Sequence, residues 1–120
     1  MSTILIVDDS PVIQRLLSLT LQRERHDILT VSNGFEALEL LGDRQIDLAI
    51  VDLAMPEMDG LTLLKAIRAD ATHPHLPVIM LTASGQDQDR VTARAAGAND
   101  FLTKPASSRV LIETVGRLLG

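Results

Sequence analysis

Short apolar runs alternate with longer segments of helical periodicity along the whole chain. Thr3–Val7, Asp27–Val31, residues 47–51, Val78–Thr82 and Asp100–Thr103 are the apolar runs. They are continuous rather than alternating, which predicts strands buried on both faces, as in a parallel sheet. The first helical segment has Ser10 as N-cap and Pro11 at N1, where the missing N–H costs nothing. Its apolar face reads Val12/Ile13, Leu16/Leu17 and Thr20/Leu21. The second opens on Asn33-Gly34-Phe35-Glu36, a cap with an acid three residues on. Leu38 and Leu41 continue its stripe, Gly42 is expected to end it, and Phe35 reads as core. The third runs from Gly60 to Ala69, with Leu61, Leu64 and Ile67 inward. The fourth, 86–96, is rich in alanine and polar residues, so it should pack least firmly before Gly97 ends it. The fifth, 107–119, carries Leu111, Val115 and Leu118 at helical spacing. The order βαβαβαβαβα, with right-handed crossovers, predicts an α/β fold: a five-stranded parallel sheet, doubly wound with helices on both faces. Ligands of such sheets sit beyond the carboxyl ends of the strands.

Those ends hold the polar residues. Asp8-Asp9 follow the first run, Asp52 the third, Thr82-Ala83-Ser84 the fourth and Thr103-Lys104-Pro105 the fifth. Taken singly, each has an ordinary reading: a turn former, a helix cap, a strand end, a solvated charge. Together they place three carboxylates, a hydroxyl and an ammonium around one crevice. Like charges in one pocket repel unless a cation relieves them. Oxygen ligands with room for water suit Mg²⁺. Lys104 is one of only two lysines, with Lys65, against nine arginines, and it supplies a donor for an oxyanion.

The 120 residues suffice for one domain that buries roughly two-thirds of its unfolded surface. There is no cysteine, which fits a reducing compartment. Aromatics are only Phe35 and Phe101, so the core must be aliphatic. Eleven basic and sixteen acidic residues leave a net charge of −5, against direct DNA binding. Neither a secretory signal nor a membrane-spanning run is visible, so a cytoplasmic protein without membrane insertion is expected. No G-x-x-x-x-G-K-[ST] supports a P-loop nucleotidase, and no G-x-G-x-x-G follows the first strand. Phosphatases of the haloacid-dehalogenase type space their acids D-x-D rather than side by side.

In order, Ile4-Leu5-Ile6-Val7-Asp8-Asp9-Ser10, Asn33-Gly34-Phe35-Glu36-Ala37-Leu38, Asp52-Leu53-Ala54-Met55-Pro56-Glu57-Met58-Asp59-Gly60, Leu81-Thr82-Ala83 and Gly97-Ala98-Asn99-Asp100-Phe101-Leu102-Thr103-Lys104-Pro105 resemble a bacterial response-regulator receiver domain. The resemblance covers essentially the whole chain and is to the stand-alone chemotaxis and twitching-motility type. It implies a flavodoxin-like three-layer (βα)5 sandwich, with residues 1–120 a single receiver domain and no output domain. It implies a phosphorylation-dependent switch of a two-component system rather than an enzyme in the ordinary sense. Asp52 would accept a phosphoryl group from phosphohistidine of a sensor histidine kinase or a histidine phosphotransfer protein. Asp9, Asp52 and the backbone carbonyl of Ala54 would hold Mg²⁺, with Asp8 acting through a water on the metal. Thr82, the Ala83 amide and Lys104 would bind the phosphoryl oxygens, and the Lys104–Pro105 bond would be cis. Thr82 and Phe101 would form the switch: Thr82 is drawn toward phosphorylated Asp52 and the Phe101 ring turns inward. The face of the fourth helix, fifth strand and fifth helix would then alter binding of a downstream protein. Phe101 stands where Tyr is commoner in the family, so its inward state would rest on burial alone.

Ala54 and Ser84 occupy the positions that tune acyl-phosphate lifetime, and Ala54 cannot position a water, so slow to moderate self-dephosphorylation is expected. Ala106-Ser107 depart from the family's usual Phe after Lys104-Pro105, which bears on the start of the fifth helix. A monomer is expected, or a dimer that forms on phosphorylation. The same residues would equally serve a phosphorelay intermediate that passes phosphate onward, or a receiver cut from a longer regulator. His73 and His75 read as exposed loop residues, Met55 and Met58 as loop packing, and Arg90, Arg94 and Arg109 as solvated charges near the output face.

Overall fold

The computed structural model describes residues 2–83 and 85–120. Five strands alternate with five helices: β1 (Thr3–Val7), α1 (Pro11–Gln22), β2 (Asp27–Val31), α2 (Gly34–Asp43), β3 (Leu48–Asp52), α3 (Gly60–Ala69), β4 (Val78–Thr82), α4 (Asp87–Ala95), β5 (Asp100–Thr103) and α5 (Ser108–Leu119). The sheet is parallel throughout, in the order β2-β1-β3-β4-β5. This is the predicted α/β architecture.

The continuous apolar runs are explained by two cores, one on each face. Leu5, Val7, Ala49, Val51, Val78, Met80 and Phe101 point to the side covered by α2, α3 and α4. Ile4, Ile6, Leu48, Ile50, Ile79 and Leu81 point to the side covered by α1 and α5. Alternate residues of each strand thus serve opposite cores. Each fully buried Leu or Ile contributes about 1.5–3 kcal/mol.

The caps at Ser10 and Asn33 follow expectation, and Ser107, read as the first residue of the fifth helix, is its cap instead. Ser10, Asn33 and Ser107 side chains accept from the backbone N–H groups of Ile13, Glu36 and Val110. Asp59 does the same for Thr62, opening α3. Gly97 has φ +107°, and a Cβ there would lie 2.8 Å from Arg68 Nε, so α4 leads into β5 through a turn only glycine fits.

Several assignments shift. β3 begins at Leu48, because the Asp47 side chain accepts from Thr3 N and so sits at the strand's entry. Asp52 consequently lies inside the ladder, opposite Leu81. The buried side of α1 is Leu17 and Leu21 with Ile13 packed beside them, whereas Val12, Leu16 and Leu19 are exposed. α2 runs through Gly42 to Asp43, since nothing crowds that glycine, and Phe35 is 56% exposed rather than core. In α3, Leu63 rather than Leu61 joins Leu64 and Ile67 inside. In α4 only Ala93 is buried, as its composition suggested. His73 is buried, not exposed: Ile46 N donates to its Nε2 at 3.3 Å. Met55 is buried in the α2–α4 core, beyond mere loop packing.

Candidate functional site

The parallel topology brings the ends of β1, β3, β4 and β5 to one edge, and the polar residues named from the sequence meet there. Asp8 and Asp52 are buried, Asp9 is exposed, and carboxylate oxygens of all three lie within 4.8 Å of one another. Lys104 reaches in from the loop after β5. Its Nζ is 2.9 Å from Asp8 Oδ2 and 3.2 Å from Asp52 Oδ1. Its backbone N–H donates to Thr82 O at 2.6 Å, which ties that loop to the end of β4. The Lys104–Pro105 peptide is cis.

Each carboxylate is held differently. Asp8 Oδ1 accepts from Ser10 N at 2.8 Å, so the residue that caps α1 also fixes the first acid. Asp8 Oδ2 is buried and receives no well-aligned hydrogen bond; its near neighbour is the Lys104 ammonium. Asp52 Oδ1 accepts a long bond from Ala54 N, 3.4 Å. Gly60 makes room behind it. A Cβ at Gly60 would come within 2.3 Å of Asp52 O and 2.8 Å of Leu53 Cα. Gly60 N in turn donates to Leu53 O at 2.8 Å, locking the β3–α3 loop around the acid.

The electrostatics are strained in one direction. Burial, and then the Asp8 charge, push the Asp52 carboxyl above its ordinary pKa, against the pull of Lys104. Burial acts to lower the Lys104 pKa, but the Asp8 and Asp52 carboxylates outweigh it and hold the ammonium above its ordinary value. One ammonium therefore faces two buried acids and a third at the rim. Three carboxylates against one ammonium leave an excess of negative charge that fits a divalent cation, and an all-oxygen donor set suits Mg²⁺.

Thr82 is buried at the end of β4 and Ala83 is exposed beside it. Ala54 is exposed in the loop after Asp52. Ser84, the second lifetime-tuning position, lies outside the described residues. Phe101 is 2% exposed and its ring already points into the α2–α4 core. Burial is not its sole support: the Arg90 guanidinium stands over the ring, 5.2 Å from its centroid. Arg94 lies 3.6 Å from Asp100 Oδ1, and Arg117 contacts the other oxygen of Asp100. Arg90 and Arg94 thus engage β5 instead of standing free in solvent, while the exposed Arg109–Glu113 pair, 3.2 Å apart, is worth little. Sequence reading missed these partners because nothing local ties α4 side chains to a strand that follows a glycine turn. Leu102, Thr103, Pro105, Ala106, Ser107 and Val110 line a shallow cavity of about 200 Å³ at the start of α5, where Ala106 leaves space.

Among the described residues no helix is long and apolar enough to cross a membrane. Comparison with known proteins agrees with the site. The response regulator receiver domain pattern matches residues 4–116. The transcriptional regulatory protein SrrA of Staphylococcus aureus is 42% identical over 116 residues, 97% of this chain and 47% of that protein. The chain spans about half the length of the curated relatives it matches. Chemotaxis protein CheY4 of Vibrio cholerae superposes with a TM-score of 0.94 at 34% identity, covering 99% of both chains. The receiver domain of sensor histidine kinase PA1611 from Pseudomonas aeruginosa was solved with a magnesium ion coordinated in its active site cleft. It gives a TM-score of 0.91 at 30% identity over 99% of this chain and 98% of that one. With the acidic cleft, the inward lysine and the parallel (βα)5 fold, these matches establish that the chain belongs to the response regulator receiver domain family.

Proposed function

We propose that Asp52 is the phosphoryl acceptor of this receiver domain and that residues 1–120 act as one signalling unit. The observation that carries it is the convergence of Asp8, Asp9 and Asp52 within 4.8 Å, with Lys104 Nζ 3.2 Å from Asp52. A carboxylate oxygen of Asp52 attacks phosphorus of a phosphohistidine donor. The new P–O bond forms as the P–N bond breaks, and the imidazole leaves, taking a proton from solvent. The product is an acyl phosphate on Asp52.

The chain's own residues organise this step. Asp8, Asp9, Asp52 and the Ala54 carbonyl would hold Mg²⁺, which when bound supplies positive charge to the carboxylates and the phosphoryl oxygens. Lys104 is already paired with Asp52 and is placed to follow charge onto the phosphoryl group; its flexible stem suits a target that grows by an atom. Thr82 at the end of β4 and the Ala83 amide beside it would receive the remaining oxygens. Val12, Leu16 and Leu19 form an exposed apolar stripe on α1, just past Asp9 and Ser10. That stripe supports docking of a sensor kinase or phosphotransfer protein on the α1 side. The α4–β5–α5 surface, where Arg90, Arg94 and Arg117 meet β5, is the proposed output face for a downstream protein. The cysteine-free composition supports a cytoplasmic setting. A receiver working within a longer regulator is the second reading, favoured by relatives of which the match covers 47%.

Incubation with acetyl phosphate and Mg²⁺ tests the assignment. Wild type should be labelled on Asp52 and Asp52→Ala should not. Labelling of the variant at the wild-type level would overturn it.

A further inference from the structure

We propose a second binding site, at the end of the sheet opposite the acidic cleft, that takes a phosphate monoester on a hydroxylated body: a sugar phosphate or a nucleotide. A cavity of about 600 Å³ lies there, bordered by the α1–β2 turn, the start of β2 and the residue that ends α2. Sites for small organic ligands fall in this size range. Gln22, Arg25, His26, Asp27 and Arg44 give the cavity its polar wall, and Ile28 and Leu29 give it an apolar one. The phosphoryl-transfer mechanism uses none of these residues.

Two guanidinium groups set the charge, in a chain whose net charge is −5. Elsewhere Lys104 faces Asp8 and Asp52, Arg94 and Arg117 meet Asp100, and Arg109 meets Glu113. Arg68 donates to the Leu76 and Gly97 carbonyls. Among the described residues the Arg25 and Arg44 side chains have no hydrogen-bond or ion-pair partner, yet they border one cavity. Arg25 is fixed by its backbone: φ is +66°, and its N–H donates to Gln22 O at 3.0 Å. That conformation favours glycine, so the turn itself gives no reason for an arginine. His26 adds a directed donor. Its Nδ1 is buried without a hydrogen bond. A buried N–H without an acceptor is the costlier orphan, so the proton belongs on Nε2, which is left as the ring's donor to the cavity it borders.

Asp27 decides the class of anion. It repels a bare phosphate, but it accepts from a hydroxyl on the body of an ester. Arginine forks suit phosphate oxygens, with the imidazole and the Gln22 amide as further donors. Ile28 and Leu29 then lie against the carbon frame. Such a ligand meets each kind of group on the wall with its complement.

Amide NMR titration of the protein in EDTA tests this, with ribose 5-phosphate, adenosine 5′-monophosphate and inorganic phosphate as probes. EDTA removes metal-assisted phosphate binding at the acidic cleft from the measurement. Ribose 5-phosphate should shift the amides of residues 22–29 and 44 and leave those of Asp8, Asp9 and Lys104 in place. Equal affinity for the nucleotide supports a sugar phosphate site, and tighter binding of the nucleotide supports a base against Ile28 and Leu29. Arg25→Gly and Arg44→Gln should each weaken binding about tenfold, the size of one charge-assisted contact. Arg25→Gly separates binding from folding, because glycine suits φ +66° and the fold should survive while affinity falls. Asp27→Ala should bring inorganic phosphate closer to the esters in affinity, and Asp52→Ala should bind as wild type does. Absence of shifts at millimolar ester, unchanged affinity in Arg25→Gly, or wild type binding inorganic phosphate as tightly as the esters would each overturn the proposal.

Discussion

Replacing Lys104 by methionine isolates the central electrostatic feature of the site. Lys104 Nζ lies 2.9 Å from Asp8 Oδ2 and 3.2 Å from Asp52 Oδ1. At an effective dielectric constant of about 20, these contacts correspond to gross attractions of about 6 and about 5 kcal/mol. Asp8 and Asp52 repel one another by about 3.5 kcal/mol or more, their ligand oxygens being within 4.8 Å. Desolvation of three charged groups cancels most of the attraction, so the gross values are not the cost of the substitution. What the variant loses is the compensation for two buried carboxylates. The Lys104 side chain is 19% exposed, so water can partly replace it, and a net loss of about 2–4 kcal/mol is expected in urea unfolding at pH 7. The pH dependence carries the sign. Burial and the Asp8 charge already raise the Asp52 pKa, and without the ammonium nothing comparable opposes them, so it rises further above its unfolded value. The folded variant then binds a proton more readily than its unfolded chain, and its stability relative to wild type recovers as the pH falls through the raised folded value toward the ordinary carboxylate range. A loss under about 0.5 kcal/mol at pH 7, or a loss that stays the same at about pH 4.5, would refute the reasoning.

Four further outcomes follow from named contacts. Gly60→Ala places a Cβ 2.3 Å from Asp52 O, so it should cost about 1–3 kcal/mol or more and slow acetyl phosphate labelling by displacing the acceptor. Asp59→Ala removes the cap of α3 and should cost about 1 kcal/mol at neutral pH. Hydrogen bonds to Thr62 hold the Asp59 pKa below its ordinary value, so this contribution is full above about pH 4 and disappears as the pH falls through the lower folded value; wild type and variant should converge there. His73→Leu leaves Ile46 N without its buried acceptor and should cost about 1–3 kcal/mol in denaturant titration. Because Ala54 has no polar group to hold a water, the phosphorylated, Mg²⁺-bound protein should decay with a half-life longer than a few seconds, followed by loss of label.

Much of the site was legible because the relevant side chains sit at strand ends. Continuous apolar runs forced a two-sided parallel sheet, and such a sheet delivers every strand's carboxyl end to one edge. Asp8, Asp9, Asp52, Thr82 and Lys104 are therefore placed together by the order of the runs alone. Local capping chemistry was equally legible at Ser10 and Asn33, because each bond spans only three residues.

What lies between elements needed the tertiary structure. Val12 and Leu16 fit a helical stripe as well as Ile13 and Leu17 do, and only the docking of α1 on the sheet decides which pair is buried. Phe35 is apolar but sits in the first turn of α2 on the side turned away from the core, and is 56% exposed. His73 is polar but lands beside an unpaired Ile46 N–H, which gives it a reason to be inside. Arg90 and Arg94 read as solvated charges because their partners, Phe101 and Asp100, reach them only after Gly97 reverses the chain. Sequence by itself determined which residues face a core of some kind and which acids and base share an edge, since periodicity and parallel topology depend on local patterns. Tertiary structure alone decided which apolar faces stay exposed and which charges find partners, since both depend on the packing of elements distant in the chain.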